Sequence, residues 1–312
     1  MGTGRARYDA GMDRIAAFAE LLERHTGVDG THAVALPGVR LIRASSPTLP
    51  MPVIYEPTVC LVAQGVKQAW LGATAYRYDP AHYLVASVDL PVMGAVVVAS
   101  MAEPYLCLQL DLDVAVLSEL LLQHPALATG RSGPAAGLSL TATHPDLLDA
   151  AIRLVALLDA PADVAALAPL IQREMLYRLL QGPAGGVMRH MAQADSRLRQ
   201  IARAIVWIKA HFRGACRIED AAGQAGMGRS SFHQHFKAIT TLSPLEYRNQ
   251  LRLQEARRLM VGTAMDAATA GFTVGYESPS QFSRDYARVF GLPPARDAGR
   301  LREAASAAEG GG

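Results

Sequence analysis

Hydrophobic positions along this 312-residue chain change their period part-way along. From Gly38 to about Leu110, β-branched and aromatic residues gather in short runs, among them Val59–Ala63, Ala75–Tyr78, Tyr83–Ser87 and Ala95–Ala99. Turn signals at Gly65, Gly72-Ala73, Asp79-Pro80, Leu90-Pro91 and Glu103-Pro104 divide them. Several strands at a spacing of about ten residues predict a small barrel or sandwich.

Beyond Leu110 the period becomes helical. Residues 113–123, 145–158 and 163–180 read as helices, with Leu147, Leu148, Ile152, Val155 and Leu158 along one stripe. Pro145 suits a first turn and Asp163 a cap. Breakers at Gly182, Pro183, Gly185 and Gly186 end the third helix and predict a linker over 186–194 between a first domain, 1–185, and a second, 195–303. The second domain reads as all helix: Leu198–His211, Ile218–Ala225, Ser230–Ile239, Pro244–Met260, Met265–Val274, Ser280–Phe290 and a short piece near Leu301. Residues 304–312 read as a disordered tail.

Charge adds an asymmetry to this division. Residues 195–303 hold 17 Lys and Arg against 10 Asp and Glu, whereas the remainder holds 13 against 18. The second domain is therefore the half suited to approach a polyanion. No apolar run follows the basic residues of Met1–Ala10, and none approaches the ~18 residues of a membrane span, which predicts a cytoplasmic protein. Cys60, Cys107 and Cys216 are widely spaced and form no CxxC pair, as suits a reducing compartment.

Between Ile218 and Lys237 the pattern is helix, a break at Gly226-Met227-Gly228, then a helix with Phe232 and Phe236 on its apolar side: helix-turn-helix spacing. Arg229, Ser230, His233, Gln234 and Lys237 take the other faces and suit base edges and phosphates. About 50 residues on the pattern returns, with a break at Gly275-Tyr276 and a helix in which Phe282 and Tyr286 replace the two phenylalanines. Gln281, Ser283, Arg284 and Arg288 are its polar positions. The long helix between the copies directs Leu251, Leu253, Ala256, Leu259 and Met260 to the core and leaves Arg248, Arg252, Arg257 and Arg258 outside. If it holds the copies one DNA turn apart, roughly 34 Å, a single chain reads two consecutive major-groove segments.

The runs Ser243-Pro244-Leu245-Glu246-Tyr247, Leu251–Met260, Val274–Tyr286 and Phe290-Gly291-Leu292-Pro293-Pro294 resemble the AraC/XylS transcription regulators over about a hundred residues. Gln64-Gly65-Val66-Lys67, Tyr76-Arg77-Tyr78, Val88-Asp89-Leu90-Pro91 and Leu110-Asp111-Leu112-Asp113 resemble the N-terminal domain of one branch of that family. The resemblance implies an α+β chain: an N-terminal cupin-like β-barrel with trailing helices that senses a small effector or dimerises, and a C-terminal all-α domain of two helix-turn-helix motifs. It implies base contacts from Ser230, His233, Gln234, Ser280, Gln281 and Arg284, phosphate contacts from Arg229, Lys237, Ser283 and Arg288, and a homodimer that activates transcription with RNA polymerase. Gln234 departs from the arginine frequent in relatives; Gln pairs with adenine where Arg favours guanine. His233 makes reading mildly pH-dependent.

For the first domain, Tyr55, Trp70, Tyr76, Tyr78 and Cys60, with Tyr83, are candidate lining for an apolar ligand, against core packing or a dimer contact. Cys60 and Cys107 read as buried small hydrophobes or as thiol sensors of electrophiles or oxidants. His82 and Glu56 do not make the ligand cluster that a metal-dependent cupin enzyme needs, so no metal, cofactor or catalytic residue is expected. The rival readings are a cupin-type metal enzyme with a helical protein-interaction domain, and a DNA-alkylation repair protein, which would need a nucleophilic or zinc-bound cysteine cluster.

Overall fold

The computed structural model describes the backbone of residues 2–129 and 136–309, and side chains within 13–303. It packs as two units, 1–202 with 238–241, and 203–237 with 242–312.

The first unit opens with helix α1 (Gly2–Arg24) and strands β1 (Gly30–Ala33), β2 (Val39–Ala44), β3 (Met51–Tyr55), β4 (Thr58–Gln64), β5 (Val66–Leu71), β6 (Thr74–Tyr78), β7 (His82–Ala86), β8 (Leu90–Val98) and β9 (Tyr105–Asp111). After α2 (Val114–Gln123) and α3 (Pro125–Ala128) come β10 (Leu138–Ala142), α4 (Pro145–Ala156), α5 (Pro161–Gln181) and α6 (Gly185–Ala192). The strands form two antiparallel sheets, a six-stranded one ordered β1-β2-β9-β4-β7-β10 and a four-stranded one ordered β3-β8-β5-β6. The barrel expected from sequence is thus two sheets that do not close on each other. Helix α1 lies against β4, β9 and α4.

Several local expectations are corrected. Leu90-Pro91 is not a turn but the start of β8, where Pro91 stands opposite Ile54 of β3. The pairing of β8 with β5 begins only at Met93, so Pro91 sits where β8 has one neighbour and its missing N–H breaks no second ladder. Asp163 is not the cap of α5; Ala160 holds that position, and Asp163 lies in the first turn beside the helix dipole. Residues 186–192, within the 186–194 expected as linker, belong to the helix α6 (Gly185–Ala192), which buries Val187, Met188 and Met191. Gly185 permits this, because a Cβ there would lie 2.1 Å from the Leu180 carbonyl oxygen. The last helix runs on through Ala304–Glu309, where a disordered tail was expected; residues 310–312 lie outside the described residues.

The division between units falls within α7 (Arg197–His211). Then follow α8 (Ile218–Ala225), α9 (Arg229–Thr240), α10 (Pro244–Gly262), α11 (Ala267–Thr273), α12 (Pro279–Phe290) and α13 (Pro294–Glu309). The starts of α10, α11 and α12 carry side-chain caps. In α10, the Ser243 side chain accepts from the Glu246 N–H and the Glu246 carboxylate accepts from the Ser243 N–H, a capping box worth about 1 kcal/mol. Asp266 caps α11 and Ser278 caps α12. Gly226 and Gly291 end α8 and α12 in the left-handed region, at φ 65° and 77°. Among the described residues no helix is long and apolar enough to cross a membrane.

Candidate nucleic-acid interface

The second unit repeats one packing scheme. In the first copy, Phe232 and Phe236 on α9 are fully buried with ring centroids 5.3 Å apart, and Phe236 meets Tyr247 of α10 at 5.4 Å. In the second, Phe282 and Tyr286 on α12 are fully buried at 5.5 Å, and Phe282 meets Tyr276 at 5.3 Å. Both aromatic pairs are spaced by one helical turn, so the opposite face of each helix turns outward. That face carries the expected residues: Arg229, Ser230, Gln234, Lys237, Ser280, Gln281, Arg284 and Arg288 are exposed, while His233 and Ser283 are half-buried. Arg229 lies 3.5 Å from Glu219, and Arg288 pairs with Asp285 at 2.8 Å; both arginines remain exposed, so water screens these pairs.

The turns differ between copies. Gly226 has open space around it, whereas a Cβ on Gly275 (φ 92°) would lie 2.2 Å from the Arg213 carbonyl oxygen and 2.9 Å from Arg252 Nη2. Arg252 explains the crowding. It is buried and donates to three carbonyl oxygens, those of Phe212 (2.6 Å), Gly275 (2.7 Å) and Gly214 (3.2 Å). The expectation that Arg252 and Arg257 face outward is thus corrected. Arg257 is also buried, paired with Asp297, which Tyr286 Oη approaches to 2.9 Å. Desolvation in the core and the bond to Asp297 push the Tyr286 phenol up. Helical periodicity alone does not expose these arginines, because they tie α10 to the loop after α7 and to α13.

Sequence reading missed a groove of about 700 Å³ whose walls include Arg213, Arg217, Arg248, Arg252 and Gln281. It brings the candidate base-reading Gln281 beside arginines from the loop before α8 and from α10. The signal for it was the pair of arginines, Arg213 and Arg217, in a segment read only as a connection.

In the first unit, the candidate lining separates into two groups. Tyr55 and Tyr78 are buried and joined through their hydroxyls at 2.9 Å, and Cys60 is buried beside them. Tyr76 shares the face of Tyr78 but is half-buried, and Trp70 lies on the opposite face of β5 from Lys67 and Ala69. Tyr83 turns to Thr141 and Ala184, and burial pushes its phenol up to about 12. Lys67, Tyr105 and Cys107, which sequence reading did not place with this group, complete the interior cluster.

Two family models match the chain. A model of the AraC-type transcriptional regulator N-terminus matches residues 35–187, and a helix-turn-helix domain model matches 221–299. The chain belongs to the AraC/XylS family of DNA-binding transcription regulators. Among relatives, it is 24% identical over 123 residues to the HTH-type transcriptional regulator ExsA of Pseudomonas aeruginosa, a span of 39% of this chain and 44% of ExsA. It is 31% identical over 100 residues to the HTH-type transcriptional activator RhaS of Escherichia fergusonii, 32% of this chain and 35% of RhaS. The matched spans thus cover about half or less of these AraC/XylS relatives. The structure of ToxT from Vibrio cholerae, bound to an unsaturated fatty acid, superposes with a TM-score of 0.54 over 84% of this chain and 93% of ToxT at 11% identity, a likeness of fold.

Proposed function

We propose that this AraC/XylS regulator reads operator DNA through α9 and α12, with residues 195–303 as the DNA-binding domain and residues 1–185 as the sensing and dimerisation domain. The observation that carries the reading is the duplicated scheme of a fully buried aromatic pair backing an exposed face of Arg, Lys, Gln and Ser. Ser230, His233, Gln234, Ser280, Gln281 and Arg284 then address base edges; Arg229, Lys237, Ser283 and Arg288 address phosphates. The chain works in the cytoplasm as a non-enzymatic activator alongside RNA polymerase, a role supported by the description of RhaS as a transcriptional activator. A homodimer is supported by Leu122 on α2 and Leu167 and Leu170 on α5, large apolar side chains left exposed. A small acidic or apolar effector for the N-terminal domain is supported by the fatty acid named with the fold neighbour ToxT.

The test is selection of bound fragments from genomic DNA, followed by binding measured across a salt series. One enriched sequence class and a steep fall of affinity with salt are expected, because each phosphate contact releases counterions. Recovery of random fragments, or binding indifferent to salt, sinks the reading.

A further inference from the structure

The interior of the first unit holds ionisable side chains for which DNA reading has no use. Lys67 of β5 reaches between the sheets: its Nζ lies 5.7 Å from the centre of the Tyr55 ring on β3 and 6.0 Å from that of Tyr105 on β9. Gly94 of β8 lies alongside, where a Cβ would stand in ordinary contact with Lys67 Cε at 3.6 Å and with the Tyr55 hydroxyl at 3.7 Å. The acidic groups that face Lys67 are Tyr55, Cys60 and Cys107, and among the described residues no carboxylate pairs with it. An interior ammonium needs a counter-charge, and of phenols and thiols the thiol gives up its proton more readily.

Cys60 and Cys107 lie on β4 and β9, paired strands at the centre of the larger sheet. Val62 stands opposite Cys107, so Cys60, two residues back along β4, shares the face of Cys107 as its diagonal neighbour. The two thiols are close enough to influence each other's ionisation, and the Cys107 thiol donates to the Leu108 carbonyl oxygen at 3.4 Å. Burial raises Cys107, but the neighbouring Cys60 thiol and Tyr105 hydroxyl, and then the ammonium of Lys67, outweigh it and bring this thiol below its ordinary value; Cys60 is pushed well above by its neighbour Cys107 and by burial. The Tyr105 hydroxyl, two residues back on the same face of β9, is buried beside the Cys107 thiol and is a donor that can serve an anion formed there. Lys67 is half-buried, whereas Cys60 and Cys107 are buried, so a solute reaches the thiols only when the sheets open locally.

We propose that Cys107 and Cys60 are a redox-active dithiol that reacts with hydroperoxides, with Cys107 as the nucleophile held by Lys67 and Cys60 as the resolving thiol. The Cys107 thiolate sulfur attacks the terminal peroxide oxygen; the O–O bond breaks, a sulfenic acid forms, and the leaving hydroxide or alkoxide takes a proton from solvent. The Cys60 sulfur then attacks the sulfenic sulfur, its proton leaves with the hydroxyl as water, and a disulfide remains. Two thiols are oxidised by two electrons and one peroxide is reduced. Diagonal neighbours start about 7–8 Å apart at Cα, wider than a disulfide spans, so closure requires β4 to shift. The bulge between Val62 and Gln64 supplies that slack beside the pair. A bond made under such strain is easily reduced, as a reversible modification requires.

The proposal is independent of how DNA is read. Full-length protein is treated with hydrogen peroxide, then alkylated, digested and weighed. The peptides of Cys60 and Cys107 are expected joined and two hydrogens lighter than their sum, with Cys216 unpaired and the link reversed by dithiothreitol. Cys60→Ser is expected to stop at a Cys107 sulfenic acid captured by dimedone. Lys67→Met is expected to slow alkylation of Cys107 about tenfold at neutral pH and move its pH midpoint upward, whereas Lys67→Arg keeps both near wild type. Circular dichroism checks that each variant is folded. Persistence of both thiols under peroxide that oxidises free glutathione overturns the proposal, as does pairing with Cys216, or a folded Lys67→Met whose Cys107 reacts at the wild-type rate.

Discussion

Arg257 and Asp297 meet as a two-point pair in the core of the second helix-turn-helix unit, Nε to Oδ2 at 2.8 Å and Nη2 to Oδ1 at 3.1 Å. Their side chains are 4% and 0% exposed, and the guanidinium lies 4.5 Å from the centre of the Phe290 ring. Asp297→Ala strands the Arg257 charge and is expected to cost about 3–5 kcal/mol, read as a lowered urea midpoint for the helical unit. The double change Arg257→Met with Asp297→Leu removes both charges and is expected to recover most of that loss. Equal losses in the single and double variants would show that packing volume, and not the stranded charge, is responsible.

The two helix-turn-helix turns respond differently to a methyl group. Gly226→Ala meets open space and carries only the left-handed backbone penalty, about 1 kcal/mol. Gly275→Ala adds a collision with the Arg213 carbonyl oxygen and with Arg252, and is expected to exceed 2 kcal/mol, on the order of a strained backbone site. Paired thermal melts of the two variants compare them directly, and similar melting temperatures would contradict the assigned crowding.

Acid should loosen α10 at its start. The Ser243 side chain, then its N–H, hydrogen-bond the Glu246 carboxyl and hold it below its ordinary value of 4.5. A carboxyl depressed on folding contributes stability in full above its unfolded value and loses it as pH falls through the folded one. The stability difference between wild type and Glu246→Gln is therefore expected to be constant near neutrality and to shrink only below about pH 4.5. Glu246 is exposed, so the difference is small, and chemical denaturation across an acid series measures it.

Under the proposed DNA reading, Gln234→Arg shifts one operator position from adenine toward guanine. Arg284→Ala is expected to cost about 1–3 kcal/mol on the selected operator and little on random DNA, while Lys237→Ala weakens both alike and lowers the salt slope by about one. Competition binding with single-base operator variants separates these cases. Uniform losses for Arg284→Ala would remove it from the base-reading set.

The helical half was legible because its signals are local. Gly226, Ser243 with Glu246, and the turn-spaced aromatic pairs each determine structure within a few residues, so α8 and α9 were placed to within a residue. Arg252 and Arg257 were misread because their partners, Gly275 and Asp297, are remote in sequence. In the first unit, β3 with its Pro52 lies at a sheet edge, and β1 is four residues long; neither offers enough alternation to stand out. Lys67 was legible in one respect: its parity with Ala69 and Leu71, both buried, aims it inward. Its charge argued for solvent, and only the rings of Tyr55 and Tyr105 reveal where the ammonium rests.

The helix α10, fixed at its start by the capping box, has a further consequence for how such a protein can change over time. Its 19 residues make a rigid bar of roughly 28 Å. One inserted residue would lengthen the bar only slightly but rotate everything beyond it by roughly 100° about its axis. Operators recognised by this chain are therefore expected to tolerate substitutions of base pairs while holding the count between half-sites constant, because the protein has a phase as well as a length and no small edit alters one without the other.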